Sequence, residues 1–141
     1  MFSKQSGEIT DLSHNGSSCI IEGFKPNFWR PMTDNDIANG HLKRTGTWKN
    51  ASDNMLLKSI SLKQGDNKNI ATIKVNYELT EQESSLEINY TIRPEGAINV
   101  GMHFIPGTKQ LPEIPRFGMR MILKPEYETM TWLGRGPHES Y

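Results

Sequence analysis

The chain has little of several features that would identify a class of protein at once. Its 141 residues include a single cysteine, Cys19, so no disulfide can form within the chain. The 16 basic and 16 acidic residues give a formal net charge of zero, which argues against nucleic-acid or membrane-surface binding driven by bulk charge. No apolar run approaches the roughly 20 residues of a membrane helix, and the first residues contain no apolar segment, so we expect no signal peptide.

Patterns that would identify a metal site are also missing. None of the four histidines has a partner at metal-ligand spacing, so we expect no structural zinc site. The run Asp34-Asn35-Asp36 suggests a calcium loop, but Ala38 occupies the third ligand position and Thr45 replaces the bidentate glutamate. These carboxylates are better explained as helix-capping or turn-forming groups.

Two further catalytic motifs are excluded. Residues 134–139 begin like a dinucleotide-binding loop, but Pro137 interrupts the pattern and Glu139 ends it, so a dinucleotide site is rejected. There is no G-x-S-x-G elbow for a serine nucleophile. The carboxylates fall on polar strand faces or in turns, and no pair is placed at the distance of about 5–5.5 Å that retaining glycoside hydrolysis requires.

What the chain does contain is mostly apolar alternation of period two, which is typical of half-buried strands. Short strands are predicted at 2–5, 55–62, 70–79, 86–92, 97–104, 116–123 and 127–133. One apolar and one polar face on each strand favours an antiparallel sheet in a two-layer sandwich. The predicted core consists of Ile73, Val75, Tyr77, Ile88, Tyr90, Ile92, Ile98, Val100 and Met102.

Two segments depart from this alternation. Asn15-Gly16 predicts a tight turn, because both residue types tolerate positive φ. Residues 37–51 lose the period of two, and we expect one broken helix there or an ordered loop, with Asp34 or Asp36 as the helix cap. The whole chain is interpreted as a single domain, 1–141.

The stretch 27–36 carries the densest recognition chemistry of the chain. It combines ring faces, a planar guanidinium and several carboxylate or amide oxygens, from Phe28, Trp29, Arg30, Asp34, Asn35 and Asp36. The residues alone leave two interpretations open, a binding site and a structural fastening. In the second, Arg30 pairs with Asp34 or Asp36.

Four stretches taken together resemble one family. Residues 27–36 resemble the signature that opens the C-terminal small-chain domain of the β-galactosidases of glycoside hydrolase family 2. Residues 132–141 are similar to that domain's W-x-G-x-G-P-x-E-x-Y signature, 115–118 to its P-R-x-G segment, and 2–7 to the hairpin before the first signature. The resemblance runs over nearly the whole chain in the family's order.

The resemblance implies an all-β, antiparallel supersandwich, similar to the galactose mutarotases and incomplete at its C-terminus. It implies a parent enzyme that hydrolyses terminal β-D-galactosides with two glutamates in a TIM barrel outside this chain. The segment would be non-catalytic, would pack beside that barrel and would help to wall the galactoside site at the domain junction. No cofactor is expected in this segment, although the parent family often uses magnesium and sodium ions. Neither nucleic acid nor membrane is an expected partner, and a bacterial cytoplasm or periplasm would suit the family.

The resemblance also gives a set of carbohydrate-binding or signature residues, with no catalytic residue and no metal ligand among them. They are Trp29, Arg30, Asp34, Asn35, Asp36, Trp132 and Glu139. Two alternatives stay open. One is a carbohydrate-binding module with a stacking platform of Phe28, Trp29 and Trp48, and the other is a purely structural interaction domain, with possible self-association through unpaired strand edges.

Overall fold

A computed structural model of the chain describes residues 1–64 and 69–135. Within these residues the helices are α1 (Asp34–Ala38) and α2 (His41–Thr45), and single 3-10 turns span Gly46–Trp48 and Thr80–Gln82. The strands are β1 (Ser13–His14), β2 (Ser17–Ser18), β3 (Ile20–Asn27), β4 (Met55–Gln64), β5 (Ala71–Leu79), β6 (Ser84–Ile92), β7 (Ile98–Ile105) and β8 (Gly118–Leu123).

Strands β4 to β7 form one antiparallel sheet in chain order. The period-two pattern places alternate side chains on one face, so that Val75 lies opposite Ile88, and Ile88 lies opposite Met102 on the next strand. The strands predicted at 70–79 and 86–92 are therefore confirmed. Their buried face presents Ile73, Val75, Tyr77, Leu79, Leu86, Ile88 and Tyr90.

A second layer covers this face. β3 pairs antiparallel with β8, and Ile9, Phe24, Phe28 and Trp48 join the buried face of the sheet in one apolar cluster. The ring of Trp48 lies 5.8 Å from that of Phe28 and 5.7 Å from that of Phe104 between centroids. The architecture is an all-β antiparallel sandwich, as predicted.

The predicted core is only partly right. Ile92, Ile98, Val100 and Met102 pack against the cluster but remain partly exposed. The reason is their place in the sheet, because β7 is its edge strand and Ile92 is the last residue of β6. Fully buried apolar side chains contribute about 1.5–3 kcal/mol each, so these four contribute less.

The N-terminal segment differs from its prediction in one point. Instead of a strand at 2–5, a single bridge joins Phe2 to Ile9, because the chain turns at once and the N–H of Gly7 donates to the carbonyl of Ser3 at 2.9 Å. The turn at Asn15-Gly16 is confirmed. Its residues have φ of 50° and 79°, and it joins β1 to β2.

The broken helix predicted after residue 36 is confirmed as the pair α1 and α2. Gly40 separates them with φ of 69°. The N-cap of α1 is Thr33, whose hydroxyl accepts from the N–H of Asp36. Of the two predicted capping residues, Asp36 does cap the helix from its third position, because its carboxylate accepts from the N–H of Thr33, and the structure gives Asp34 no such role. Within residues 1–64 and 69–135, no helix has the length and apolar character to cross a membrane.

The strand predicted at 127–133 is wrong. These residues are irregular, and Met130, Trp132 and Leu133 are 74%, 61% and 103% exposed. Alternation alone does not make a strand, since a ladder also needs a neighbouring backbone, and the described residues supply none here. The segment is attached at its start, where the hydroxyl of Tyr127 donates to Sγ of Cys19 at 3.0 Å.

Candidate functional site

The stretch that follows β3 is held in place by its own short contacts. The backbone N–H of Trp29 donates to Oδ1 of Asn27 at 3.2 Å, which turns the chain as the strand ends. Four residues later Thr33 begins α1 in a capping box, since its hydroxyl accepts from the N–H of Asp36 while the Asp36 carboxylate accepts from the N–H of Thr33 at 2.9 Å. Trp29, Arg30 and Pro31 are therefore presented between two fixed points.

Arg30 and Asp36 clamp this stretch together. Nη1 and Nη2 of Arg30 donate to Oδ2 and Oδ1 of Asp36 at 2.6 Å and 3.2 Å, a two-point pair of the kind that guanidinium and carboxylate geometry favours. Asp36 is only 8% exposed. The hydrogen bonds from Arg30, and then the N–H of Thr33, hold the pKa of the Asp36 carboxyl well below its usual range. The predicted pairing of Arg30 is thus with Asp36, not Asp34.

The clamp continues into a second ion pair. Nδ1 of the buried His41 lies 3.5 Å from Oδ1 of Asp36 and 3.9 Å from Oε1 of Glu113. Arg44 donates from Nε to Glu113 at 3.0 Å and lowers the pKa of the Glu113 carboxyl. Because Arg44 belongs to α2 and Glu113 to the loop before β8, this pair ties that loop to the helices.

The other predicted site residues are spread over the surface. Asp34 and Asn35 are exposed in the first turn of α1. Trp132 is exposed and belongs to the irregular segment after β8. Glu139 lies outside the described residues, so the structure does not test its place.

The aromatic platform proposed from the sequence is wrong in two of its three rings. Phe28 and Trp48 have no exposed surface, and they form the centre of the apolar cluster. The indole N–H of Trp48 is used within the fold, where it donates to the carbonyl of Pro112. A sugar ring cannot reach either face, so only the partly buried Trp29 is available as a stacking surface.

Trp29 and Arg30 instead line an open cleft of about 370 Å³, which we call the basic cleft. It lies between the end of β3, the segment after Trp48 and the start of β8. Its lining residues are Lys25, Pro26, Asn27, Trp29, Arg30, Pro31, Lys49, Ser52, Asp53, Arg116 and Arg120.

Sequence reasoning missed most of the basic cleft. Lys25, Lys49, Arg116 and Arg120 come from separate segments, and only the tertiary fold brings them together. Arg116 belongs to the P-R-x-G segment, but the pattern assigned it no role. One weak signal of the cleft was present at Lys25. On a strand this side chain faces away from its buried neighbour Phe24, and so towards the surface.

Positively charged residues outnumber negatively charged ones in the basic cleft. Five cations line it and Asp53 is the single carboxylate among the lining residues. Lys25 pairs with Asp53, and Nη2 of Arg120 lies 2.8 Å from Oε1 of Glu22. Among residues 1–64 and 69–135, Lys49 and Arg116 have no ion-pair partner. The cleft therefore has donors to offer an anion.

Two observations on the described part of the chain concern metal ligands and carboxyl groups. No three His, Cys, Asp or Glu side chains lie close enough together there to hold a metal ion. The pKa values of Asp36, Glu87 and Glu113 are all lowered, each mainly by a hydrogen bond from a cationic side chain. A lowered pKa keeps a carboxyl ionised, which makes it a poor proton donor.

Comparison with known proteins agrees with the signature stretches. The family described as "Beta galactosidase small chain" matches residues 1–141. A β-galactosidase of Priestia megaterium is 32% identical over 142 residues, and one of Clostridium acetobutylicum is 34% identical; both alignments cover 100% of this chain. They cover only 13% and 16% of the relatives, so the chain spans a small part of those proteins.

A third relative is a separate subunit. The "Beta-galactosidase small subunit" of Latilactobacillus sakei is 27% identical over 142 residues, which cover 87% of this chain and 44% of the relative. The match of the family over every residue decides the assignment. The chain belongs to the β-galactosidase small chain family.

Proposed function

We propose that this chain is a non-catalytic part of a β-galactosidase that hydrolyses terminal β-D-galactosides. It packs beside a TIM-barrel catalytic domain and forms part of the wall of the sugar site at the junction. The observation that carries the proposal is the match of the whole chain to the small-chain family, joined to relatives of which it forms only 13–16%. A segment of that size leaves the remainder of the enzyme to supply the reaction.

The geometry of the clamp favours a structural role for these signature residues. Arg30 and Asp36 satisfy each other, and Asp36 also accepts from Thr33, so these signature groups hold backbone in place. The effect is to fix Trp29 and Pro31 at the rim of the basic cleft. Rigid presentation of a loop is what a wall element needs, because a site must hold its geometry to within a fraction of an ångström.

The state of the carboxyl groups points the same way. A retaining glycosidase needs one carboxyl with a raised pKa as proton donor and a second one as nucleophile. Asp36 and Glu113, the carboxyl groups of the clamp, have lowered pKa values and bidentate arginine partners. They are suited to ion pairing, and we assign the acid and the nucleophile to the parent's barrel.

A chimera tests the proposal. Residues 1–141 replace the matched segment of the Priestia megaterium β-galactosidase, and hydrolysis of a nitrophenyl β-D-galactoside is measured. We expect activity in the chimera and none in the purified chain alone. Turnover by the purified chain that is lost on changing one of its own residues, or a folded but inactive chimera, would contradict the proposal. The same chimera carrying Asp36→Asn is the matched variant. We expect both its melting temperature and its activity to be lower than those of the unaltered chimera.

Self-association is a second property that the surface supports. Large apolar side chains are exposed along β8 and the segment after it, namely Met121, Ile122, Leu123, Tyr127, Met130, Trp132 and Leu133. A concentration of exposed apolar side chains in one stretch of the chain favours association. We expect the purified chain to form oligomers at high concentration, and light scattering that shows a strict monomer would contradict this.

A further inference from the structure

The basic cleft concentrates positive charge in a chain whose net charge is zero. Of its five cations, Arg30, Lys25 and Arg120 have carboxylate partners in Asp36, Asp53 and Glu22. The remaining two, Lys49 and Arg116, are exposed and have no ion-pair partner among the described residues. The cleft with its partners therefore carries an excess of two positive charges.

This arrangement favours anions for a physical reason. Like charges that line a concave surface reinforce one another, since the low-dielectric walls focus the field into the opening. The repulsion among them is relieved when an anion enters. Other surface cations, such as the exposed Lys43 and Arg93, do not line this cleft.

We propose that the basic cleft binds a carboxylate group. The planar guanidinium of Arg116 matches a carboxylate in shape and can donate to both oxygens, while Lys49 supplies a second charge. Asn27, which also lines the cleft, accepts from the N–H of Trp29 through Oδ1, and within residues 1–64 and 69–135 its amide N–H groups have no hydrogen-bond acceptor. Trp29 offers an apolar surface for the group that bears the carboxylate. The cleft's volume of about 370 Å³ suits a small anionic group.

The inference does not depend on the function proposed above. It rests on charge and shape within this chain, so carboxylate binding can fail while the chimera is active, and the reverse also holds. The carboxylate that the cleft binds could belong to either of two kinds of ligand, a free small molecule or the acidic side chains of a protein segment. The experiment separates them.

The test is an NMR titration of the 15N-labelled chain, which reports the indole N–H of Trp29 with those of Trp48 and Trp132 as internal references. Citrate serves as the free carboxylate, a blocked hexaglutamate peptide as the acidic segment, and sodium chloride at equal ionic strength as the blank. We expect a saturable shift of the Trp29 signal, with Trp48 unchanged because it is buried. Tighter binding of the peptide assigns a protein source, and tighter binding of citrate assigns a free ligand.

Matched variants complete the test. In Lys49→Gln/Arg116→Gln we expect an affinity lower by about tenfold or more, since each charged donor is lost. Lys43→Gln/Arg93→Gln removes the same charge at exposed positions outside the cleft, and we expect unchanged affinity. Equal affinity in the two double variants, a shift that chloride reproduces, or no saturable shift with either probe would overturn the proposal.

One measurement needs no variant. If Lys49→Gln/Arg116→Gln fails to fold, the salt dependence of carboxylate binding by the unaltered chain decides the matter. We expect the affinity to fall steadily as sodium chloride is raised, because screening weakens the attraction between the cleft and the anion. An affinity that is independent of salt would overturn the proposal.

Discussion

The indole N–H of Trp48 donates to the carbonyl oxygen of Pro112 over 3.2 Å, although 64 positions separate the two residues. One side chain thereby fills the centre of the sandwich and fastens the proline-rich loop that leads into β8. Trp48 has no exposed surface, and its ring contacts both Phe28 and Phe104. The fold thus depends on a residue from the 3-10 turn that lies between β3 and β4 in the chain.

The first prediction concerns this tryptophan. We expect Trp48→Ala to lower the free energy of unfolding by about 3–5 kcal/mol, because a large cavity replaces the ring and the Pro112 carbonyl loses its donor. Urea unfolding followed by circular dichroism measures the loss. Trp132→Ala is the matched control, since Trp132 is 61% exposed, and we expect a change within about 0.5 kcal/mol. Similar losses in both variants would contradict the assignment of Trp48 to the core.

The second prediction tests the clamp. Asp36→Asn removes the charge that Arg30 and Thr33 hold, and we expect a clearly lower melting temperature. Asp34→Asn removes an exposed carboxylate two residues earlier on α1, and we expect a much smaller change. Thermal unfolding of the two variants under identical conditions gives the comparison. An Asp34→Asn variant that is equally destabilised would show that helix charge matters and the clamp does not.

The third prediction follows the same carboxyl through pH. The pKa of Asp36 in the folded chain lies below its ordinary value of 3.8, so the unfolded chain takes up the proton first as the pH falls. The stabilisation is complete above about pH 5 and is lost progressively below about pH 4. We expect the stability difference between the unaltered chain and Asp36→Asn to shrink in that range. A difference that grows as the pH falls would contradict the sign.

The fourth prediction uses two glycines with nearly equal backbone angles. Gly7 has φ of 75° and Gly16 has φ of 79°, so alanine is strained at both. A Cβ at Gly7 would lie 2.5 Å from Oη of Tyr77, whereas one at Gly16 meets nothing within 4 Å. We expect Gly7→Ala to cost about 1–3 kcal/mol more than Gly16→Ala, because it also overpacks the core. If chemical denaturation gave the same loss of unfolding free energy for both variants, backbone strain alone would account for the cost and the contact with Tyr77 would not.

The strands of the central sheet were predictable because their signal is local. On β5, alternation from Ile73 to Leu79 gives both the element and its buried face, since no other period fits those residues. The turn at Asn15-Gly16 was predictable for the same reason. The cap at Thr33 was available too, since a threonine three residues before an acidic residue resembles a capping box.

The role of the aromatic residues was not predictable from their neighbours. Phe28 and Trp48 were candidates for a stacking platform, yet both are buried by elements distant in sequence. The basic cleft was even less predictable, because Lys49 and Arg116 lie far apart in the sequence and line one cleft only in the folded chain. Chemistry assembled from separate segments leaves no periodic trace in the sequence.

The order of the strands has a consequence for how the chain folds. β4 to β7 are joined as consecutive hairpins, so each pairing closes a short loop and costs little chain entropy. The pairing of β3 with β8 closes a long one, since its ion pair joins Glu22 to Arg120 across 98 positions. We therefore expect the meander to form first and to protect its amides from hydrogen exchange the longest. We expect the β3–β8 ribbon, which carries two walls of the basic cleft, to open before the rest of the sandwich unfolds.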